Sequence, residues 1–331
     1  MRAEGGRGAT GRTRRPTRTS AFGVGRREAH DATPFYGRFD APLLMGREEL
    51  AAQAPAPCPP GVIDAIHVGD SRTDMGPVPD NSVALVVTSP PYYAGKEYEA
   101  ALGEGHIPGS YVEYLAMLHA VFAECWRVLE PGGRIAVNVA NLGRKPYRSL
   151  SADVTRLLEG ELGFLLRGEV LWVKAQAASG NCAWGSFGSA ANPVLRDVTE
   201  RIVVASKGRF ERAPDRKARR AQGLPWEDTI SRDEFMALTL DTWRFPPESA
   251  RRVGHPAPFP VELPRRAIEL FTFKGDTVLD PWCGSASHAV AALRTGRHFV
   301  GFDIDAGYVG LARARIAEEQ ASSDAPPLFE G

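Results

Sequence analysis

Residues 277–305 read TVLDPWCGSASHAVAALRTGRHFVGFDID, and the fold turns on how this stretch is parsed. Its apolar pattern changes period repeatedly. A short buried-type strand over 277–279 gives way to a turn of small residues, then a helix over 286–294 and a strand over 298–302. Strand, helix and strand in that order make one crossover unit of a parallel sheet. The turn Asp280-Pro281-Trp282-Cys283-Gly284-Ser285 brings backbone N–H groups and a helix N-terminus to a strand's carboxyl end, which favours a carboxylate or phosphate. The GxGxxG spacing is absent, so the turn alone does not define a nucleotide site. Asp303 directly follows the next strand, about 20 residues on, where an acid suits a ribose diol; Asp305 is the second choice.

The same alternation extends outward. Strands are predicted over 62–67, 83–87 (VALVV, fully buried), 134–139, 169–174 and 201–205. Val112, Leu115, Leu118, Phe122, Cys125 and Leu129 share one face of a helix over 111–129, which Pro131-Gly132-Gly133 stops. Further helices are predicted over 261–271 and 307–319. Such a chain folds as a mostly parallel sheet covered on both faces, with ligands beyond the carboxyl ends of the strands.

The 331 residues include 40 Lys+Arg, 40 Asp+Glu and 43% hydrophobic side chains, enough for one large α/β unit. No apolar run approaches the roughly 18–20 residues of a membrane span. Cys58, Cys125, Cys182 and Cys283 lie far apart, which excludes a disulfide scaffold or zinc ribbon and points to a reducing, cytoplasmic setting. The seven histidines show no metal spacing, so no metal is expected; His67 and His288, near the motifs, read as packing or hydrogen-bonding residues.

Net neutrality hides an uneven distribution. Residues 1–28 carry eight Arg against Glu4 and Glu28 and read as a disordered tail without a secretory signal. The alternatives are an upstream start, with Met45 nearer the true beginning, or a phosphate-binding arm. Residues 51–60 (AAQAPAPCPP) read as a linker, so 1–60 precede a fold that begins near Gly61. Seven Lys or Arg fall within residues 207–220: Lys207, Arg209, Arg212, Arg216, Lys217, Arg219 and Arg220. With Trp226 following, they suit phosphate contact and partial base readout. The tail from residue 321 reads as frayed.

Thr88-Ser89-Pro90-Pro91-Tyr92-Tyr93 directly follows the buried strand VALVV. Two prolines fix the backbone and remove two donors, leaving carbonyls to accept. Beside a hydroxyl and an aromatic ring, this rigid set suits a planar amine: acceptors for its N–H groups and a ring to stack on.

TSPPYY, the VLDPWCGSAS turn and the FVGFDID strand together resemble the beta group of amino-methylating DNA methyltransferases, in which the catalytic tetrapeptide precedes the cofactor turn. HVGDS at 67–71, VLEPGGRIAVNV, TERIVVASKG and HPAPFPVELPRRAIELF support the match, which runs from about Gly61 to Ala317. The resemblance implies a Rossmann-like fold with circularly permuted motif order. It implies a seven-stranded, mostly parallel sheet, with a catalytic half over 61–206, a small target-recognition insertion over 207–250 and a cofactor half over 251–320. It implies S-adenosyl-L-methionine as cofactor and double-stranded DNA as partner, in a bacterial, nucleoid-associated protein. A cognate restriction endonuclease is a further partner, and the chain leaves monomer or homodimer open.

By that resemblance Ser89, Pro90, Pro91 and Tyr92 are catalytic. Asp280, Trp282, Gly284 and Ser285 surround the methionine end of the cofactor, Phe259 packs on it, Asp303 takes the ribose and Asp70 the adenine amine. Ser at the first position of the tetrapeptide implies N4 of cytosine; N6 of adenine is the alternative, and a non-catalytic DNA-binding relative the remote one. Trp184, in a Gly/aromatic loop, is a candidate base contact, and Lys96 and Glu97 follow the tetrapeptide in a loop over the base. Ala286-Ser287 stands where many relatives have Gly-Thr, so a methyl group there could crowd the turn. Cys58 follows Pro57 as in C5-cytosine enzymes, but it lies in the linker without their other motif.

Overall fold

The structure is a computed structural model that describes residues 45–46, 49, 53–91, 108–141, 147–175, 185–247 and 260–324. The tail 1–28 and its alternatives, the fraying beyond residue 324, and Tyr92, Lys96, Glu97, Cys182, Trp184 and Phe259 lie outside these residues.

Eight strands form one sheet among the described residues: β1 Ala65–Val68, β2 Val83–Thr88, β3 Leu129–Val139, β4 Leu165–Val173, β5 Thr199–Ser206, β6 Thr242–Arg244, β7 Thr277–Asp280 and β8 His298–Asp303. Their order is β1-β8-β7-β2-β3-β5-β4-β6. Only β5 runs against the others, pairing antiparallel with both β3 and β4. The expected sheet had seven strands. The eighth, β6, is a three-residue edge strand beside β4, too short to leave a periodic signal. It comes from within 207–250.

Among the described residues the helices are α1 Tyr111–Val128, α2 Leu150–Thr155 with a wider π turn at Arg156–Glu161, α3 Arg216–Ala221, α4 Arg232–Leu238, α5 Glu262–Phe271, α6 Ser287–Thr295 and α7 Ala306–Asp324. Ser110 caps α1, its Oγ accepting from Glu113 N, while the Glu113 side chain accepts from Gly109 N. The helix ends at Val128, and the strand begins at once with Leu129 rather than after Gly133. Pro131-Gly132-Gly133 is instead an excursion within β3. The register slips there between Val83, opposite Leu129, and Leu85, opposite Arg134.

Strand side chains alternate between two cores with the period of two that a pleated sheet imposes. Val86, Val137, Leu279 and Val300 enter the layer under α1 and α2; Leu85, Val87, Val278 and Phe299 enter the layer under α5, α6 and α7. Both faces are thus covered, as a parallel sheet requires. The first strand starts at Ala65 rather than residue 62, because Pro59 accepts from Val62 and Ile63 in a turn. The expected linker is also docked in its described part. Cys58 is buried beside Ser82, and Ala56 N donates to Asn81 O.

Candidate active site

Four neighbouring strands, β1, β8, β7 and β2, end at the same pole and carry the predicted residues there. Gly69 N donates to Asp303 O at 3.0 Å, which brings the ends of β1 and β8 together. Ser71 Oγ donates to Pro281 O at 2.5 Å, tying the segment after β1 to the turn after β7. Thr88 Oγ1, the last side chain of β2, donates to Asp280 Oδ1 at 2.6 Å. Asp70, Ser89, Asp280, Trp282, Gly284, Ser285 and Asp303 are therefore gathered on one rim.

The turn after β7 is fixed from several directions. Asp280 Oδ1 also accepts from Trp282 N at 3.0 Å. Asp303 reaches across from β8: its Oδ2 accepts from Gly284 N and its Oδ1 from Asp305 N, both at 2.9 Å. Arg315 of α7 donates to the Ser285 carbonyl at 3.0 Å. Gly284 and Ala286 both take left-handed φ, 48° and 58°. Ala286 thus takes a left-handed conformation that glycine adopts more readily, with its methyl group fully buried in the turn. Trp282 is half-buried, with its ring edge-on to Phe122 of α1.

Burial shapes the electrostatics. Asp280 is fully enclosed, and desolvation pushes its carboxyl up to about 7, against the pull of Thr88 and the Trp282 N–H. Desolvation likewise raises Asp303, partly offset by the Asp305 and Gly284 N–H groups. His288, also fully enclosed, is pushed down to about 3. Asp70 accepts from the Arg72 guanidinium through both carboxylate oxygens.

Serine and proline at 89–91 continue from β2 onto the rim, with Pro90 buried. Thr88, to which the motif reading gave no role, is the residue that ties this segment to Asp280. Its signal was present: a hydroxyl ending an otherwise apolar buried strand needs a buried partner.

The basic segment is elsewhere. Because β5 runs antiparallel, its end at Ser206 pairs with Arg134, near the start of β3. Residues 207–229 therefore pack at the amino-terminal pole. Lys207 is buried, donating to Asn81 Oδ1 at 2.8 Å and Leu129 O at 2.7 Å. Arg212 and Arg219 pair with Glu130 and Asp276, and the four side chains are nearly sealed from solvent. Asp276 precedes β7, so this quartet lies about 13 Å below Asp280 at the usual strand rise. Arg216 and Arg220 stack on Trp226, Arg216 also pairs with Asp228, and Arg209 with Glu211. Of the residues expected to contact DNA phosphates, Lys207, Arg212 and Arg219 are therefore enclosed in the protein instead. Arg212 and Arg219 are neutralised by buried carboxylates, Lys207 is held by neutral oxygens, and the exposed Arg216, Lys217 and Arg220 lie at the pole opposite the cofactor turn.

A parallel α/β sheet with helices on both faces, a small-residue turn after β7 and an acid ending β8 defines a Rossmann-like methyltransferase. More narrowly, the chain belongs to the DNA methylase family of N6 and N4 amino-methyltransferases, which its residues 83–314 match. It is 26% identical over 304 residues to the type II methyltransferase M.BglI of Bacillus subtilis, covering 76% of this chain and 85% of that one. The DNA adenine methyltransferase YhdJ of Escherichia coli is 26% identical over 275 residues, covering 78% and 85%. A Thermus thermophilus protein assigned as a DNA modification methylase has been solved with S-adenosyl-L-methionine. It superposes with a TM-score of 0.59 at 30% identity, covering 77% of this chain and 93% of that one. S-adenosyl-L-methionine is the cofactor of this class. The residues present fit it: a side-chain-free approach at Gly284, a buried carboxyl at Asp280 whose Oδ2 has no hydrogen-bond partner among the described residues, and an acid ending β8. Among the described residues no helix is long and apolar enough to cross a membrane.

Proposed function

We propose that this protein methylates an exocyclic amine of a base in double-stranded DNA, and that the base is cytosine, modified at N4. The observation that carries the reading is the junction of β2 and β7. Thr88 hydrogen-bonds Asp280, so Ser89-Pro90-Pro91 starts one residue from the cofactor turn. The cofactor supplies a methyl group on a sulfonium centre.

Ser89 Oγ and the Pro90 carbonyl accept hydrogens of the amine. Its lone pair, otherwise delocalised into the ring, would then be free to accept the methyl group while one amine proton passes to solvent, so catalysis is positioning and electrostatics without a covalent intermediate. Tyr92 stacks on the extruded base, worth roughly 1–3 kcal/mol. Asp280, Trp282, Gly284 and Ser285 enclose the methionine end with Phe259, Asp303 holds the ribose and Asp70 the adenine amine. Ser at position 89 favours cytosine N4 over adenine N6.

DNA lies across the carboxyl-terminal pole, against the β4–β5 connection 185–198, where Phe187 and Leu195 are exposed and which Trp184 directly precedes. The type II methyltransferases among the relatives support a paired endonuclease as partner. The test is expression in a methylation-free host, digestion of its DNA to nucleosides and mass spectrometry. N4-methylcytosine is expected; N6-methyladenine alone overturns the base assignment, and no new methylated base overturns the activity.

A further inference from the structure

His288, in the first turn of α6, is fully buried directly behind the rim. Its Nε2 lies 3.1 Å from the Val300 carbonyl, which can only accept, so Nε2 carries the hydrogen and Nδ1 presents a lone pair. That lone pair faces Asp280 Oδ2 at 3.7 Å. Oδ2 is the carboxyl oxygen that neither Thr88 nor Trp282 uses, and neither it nor Nδ1 has a hydrogen-bond partner among the described residues. An ionised carboxylate and a neutral imidazole would point two acceptors at each other in an apolar enclosure, a costly arrangement. One proton between them removes the conflict.

We infer that the buried Asp280–His288 pair holds a single proton, and that binding of S-adenosylmethionine expels it to solvent. The inference rests on the placement of the cofactor's methionine end at Asp280 proposed above. The cofactor's ammonium and sulfonium favour the carboxylate anion and disfavour an imidazolium beside it, so the bound state holds the pair with one proton fewer. His288 is thus a positioning residue that sets the charge of Asp280 without touching the methyl group.

The surroundings are consistent with this assignment. Asp303, ending β8, is the charged neighbour that raises Asp280 further. The thiols of Cys125 on α1 and Cys283 in the turn are pushed up by burial and stay neutral. From α7, Arg315 is directed to Ser285 and Ser287. On β8, His288 meets the Phe299 ring edge-on and the Val300 carbonyl. Among these groups, the one that faces the Asp280 carboxyl with a proton-accepting atom is His288.

The experiment is calorimetric titration of the full-length protein with S-adenosylmethionine in phosphate and in Tris, whose ionisation enthalpies differ, across the neutral range. The expected result is release of most of one proton below about pH 7, with affinity rising roughly fivefold between about pH 6 and about pH 7. His288→Asn places a permanent amide donor against Oδ2 and should bind with little proton release and a flatter pH profile. The 15N shift of His288 Nδ1, with and without cofactor, reads the same proton in the unsubstituted protein and should move on binding. Wild-type binding without proton release, equal release by His288→Asn, or an unmoved Nδ1 shift each overturn the shared proton while leaving the cofactor site standing. Failure of the wild-type protein to bind S-adenosylmethionine overturns the underlying reading instead.

Discussion

Thr88 Oγ1 donates to Asp280 Oδ1 at 2.6 Å, with both side chains wholly buried, and this bond joins the strand leading to the Ser-Pro-Pro segment with the strand leading to the cofactor turn. The two residues are 192 apart in sequence, so the bond sets the spacing of two sites that chain connectivity leaves independent. Thr88→Val keeps the shape and removes the hydroxyl. Asp280 then loses a donor and its carboxyl rises further, so less of it is ionised at neutral pH. Cofactor affinity near pH 7 should fall by about tenfold, or ~1.4 kcal/mol, with a stability loss of about 1–3 kcal/mol. Calorimetric titration and thermal melts check both; an unchanged dissociation constant would count against the coupling.

Ser89→Ala and Asp303→Ala should separate the two halves of the rim. Ser89→Ala should lower turnover by about 100-fold or more under saturating DNA and leave cofactor affinity within a factor of about two. Asp303→Ala should do the reverse, because the same carboxylate proposed for the ribose also holds Gly284 N. Its cofactor affinity should drop by about tenfold or more. Single-turnover methyl transfer beside cofactor titration gives the comparison, and equal defects in both variants would dissolve the proposed division of labour.

The pH dependence of stability should show Asp280 and His288 cancelling. The Asp280 carboxyl rises from 3.8 to about 7 on folding, so its contribution is lost as pH rises through that window. The His288 imidazole falls from 6.5 to about 3, so its contribution is gained as pH rises toward 6.5. Between about pH 4 and pH 6.5 folded and unfolded pairs each hold one proton, and the pair adds almost no slope. Asp280→Asn should therefore make stability rise more steeply with pH than wild type, and a His288 variant should make it rise less or fall. Denaturant midpoints of the cofactor-free proteins at several pH values test the signs; parallel slopes in all three proteins would refute the cancellation.

Much of this was legible in the chain because the relevant patterns are local. The period change across 277–305 gave the last crossover, and VALVV gave the buried centre of the sheet. Helix α2 was equally available in the spacing of Leu150, Val154, Leu157 and Leu158, all buried, but its short run hid it. The placement of the basic segment was hidden for a different reason. Composition records that Lys207, Arg212 and Arg219 are cationic, not that β5 reverses direction and carries them to the far pole beside Glu130 and Asp276. The Ala286 turn shows the same limit at a finer scale, since sequence flagged the missing glycine but could not show that alanine would take the glycine conformation.

The quartet at the amino-terminal pole predicts a split between stability and DNA affinity. Arg219 is 2% exposed and donates to Glu130 Oε2 at 2.9 Å, Asp276 Oδ1 at 3.1 Å and the Pro225 carbonyl at 2.6 Å. Arg219→Ala leaves two buried carboxylates facing one guanidinium and should cost about 3–5 kcal/mol. Lys217→Ala, at an exposed position of the same short helix, should change stability by less than about 0.5 kcal/mol. If residues 207–220 do not touch the DNA that enters the carboxyl-terminal pole, Lys217→Ala and Arg220→Ala should also leave DNA affinity and its salt slope within error. A direct phosphate contact would instead reduce that slope by close to one per charge removed. Fluorescence anisotropy with a duplex substrate over a salt series decides between the two, and a reduced slope in either variant would return this segment to the DNA interface.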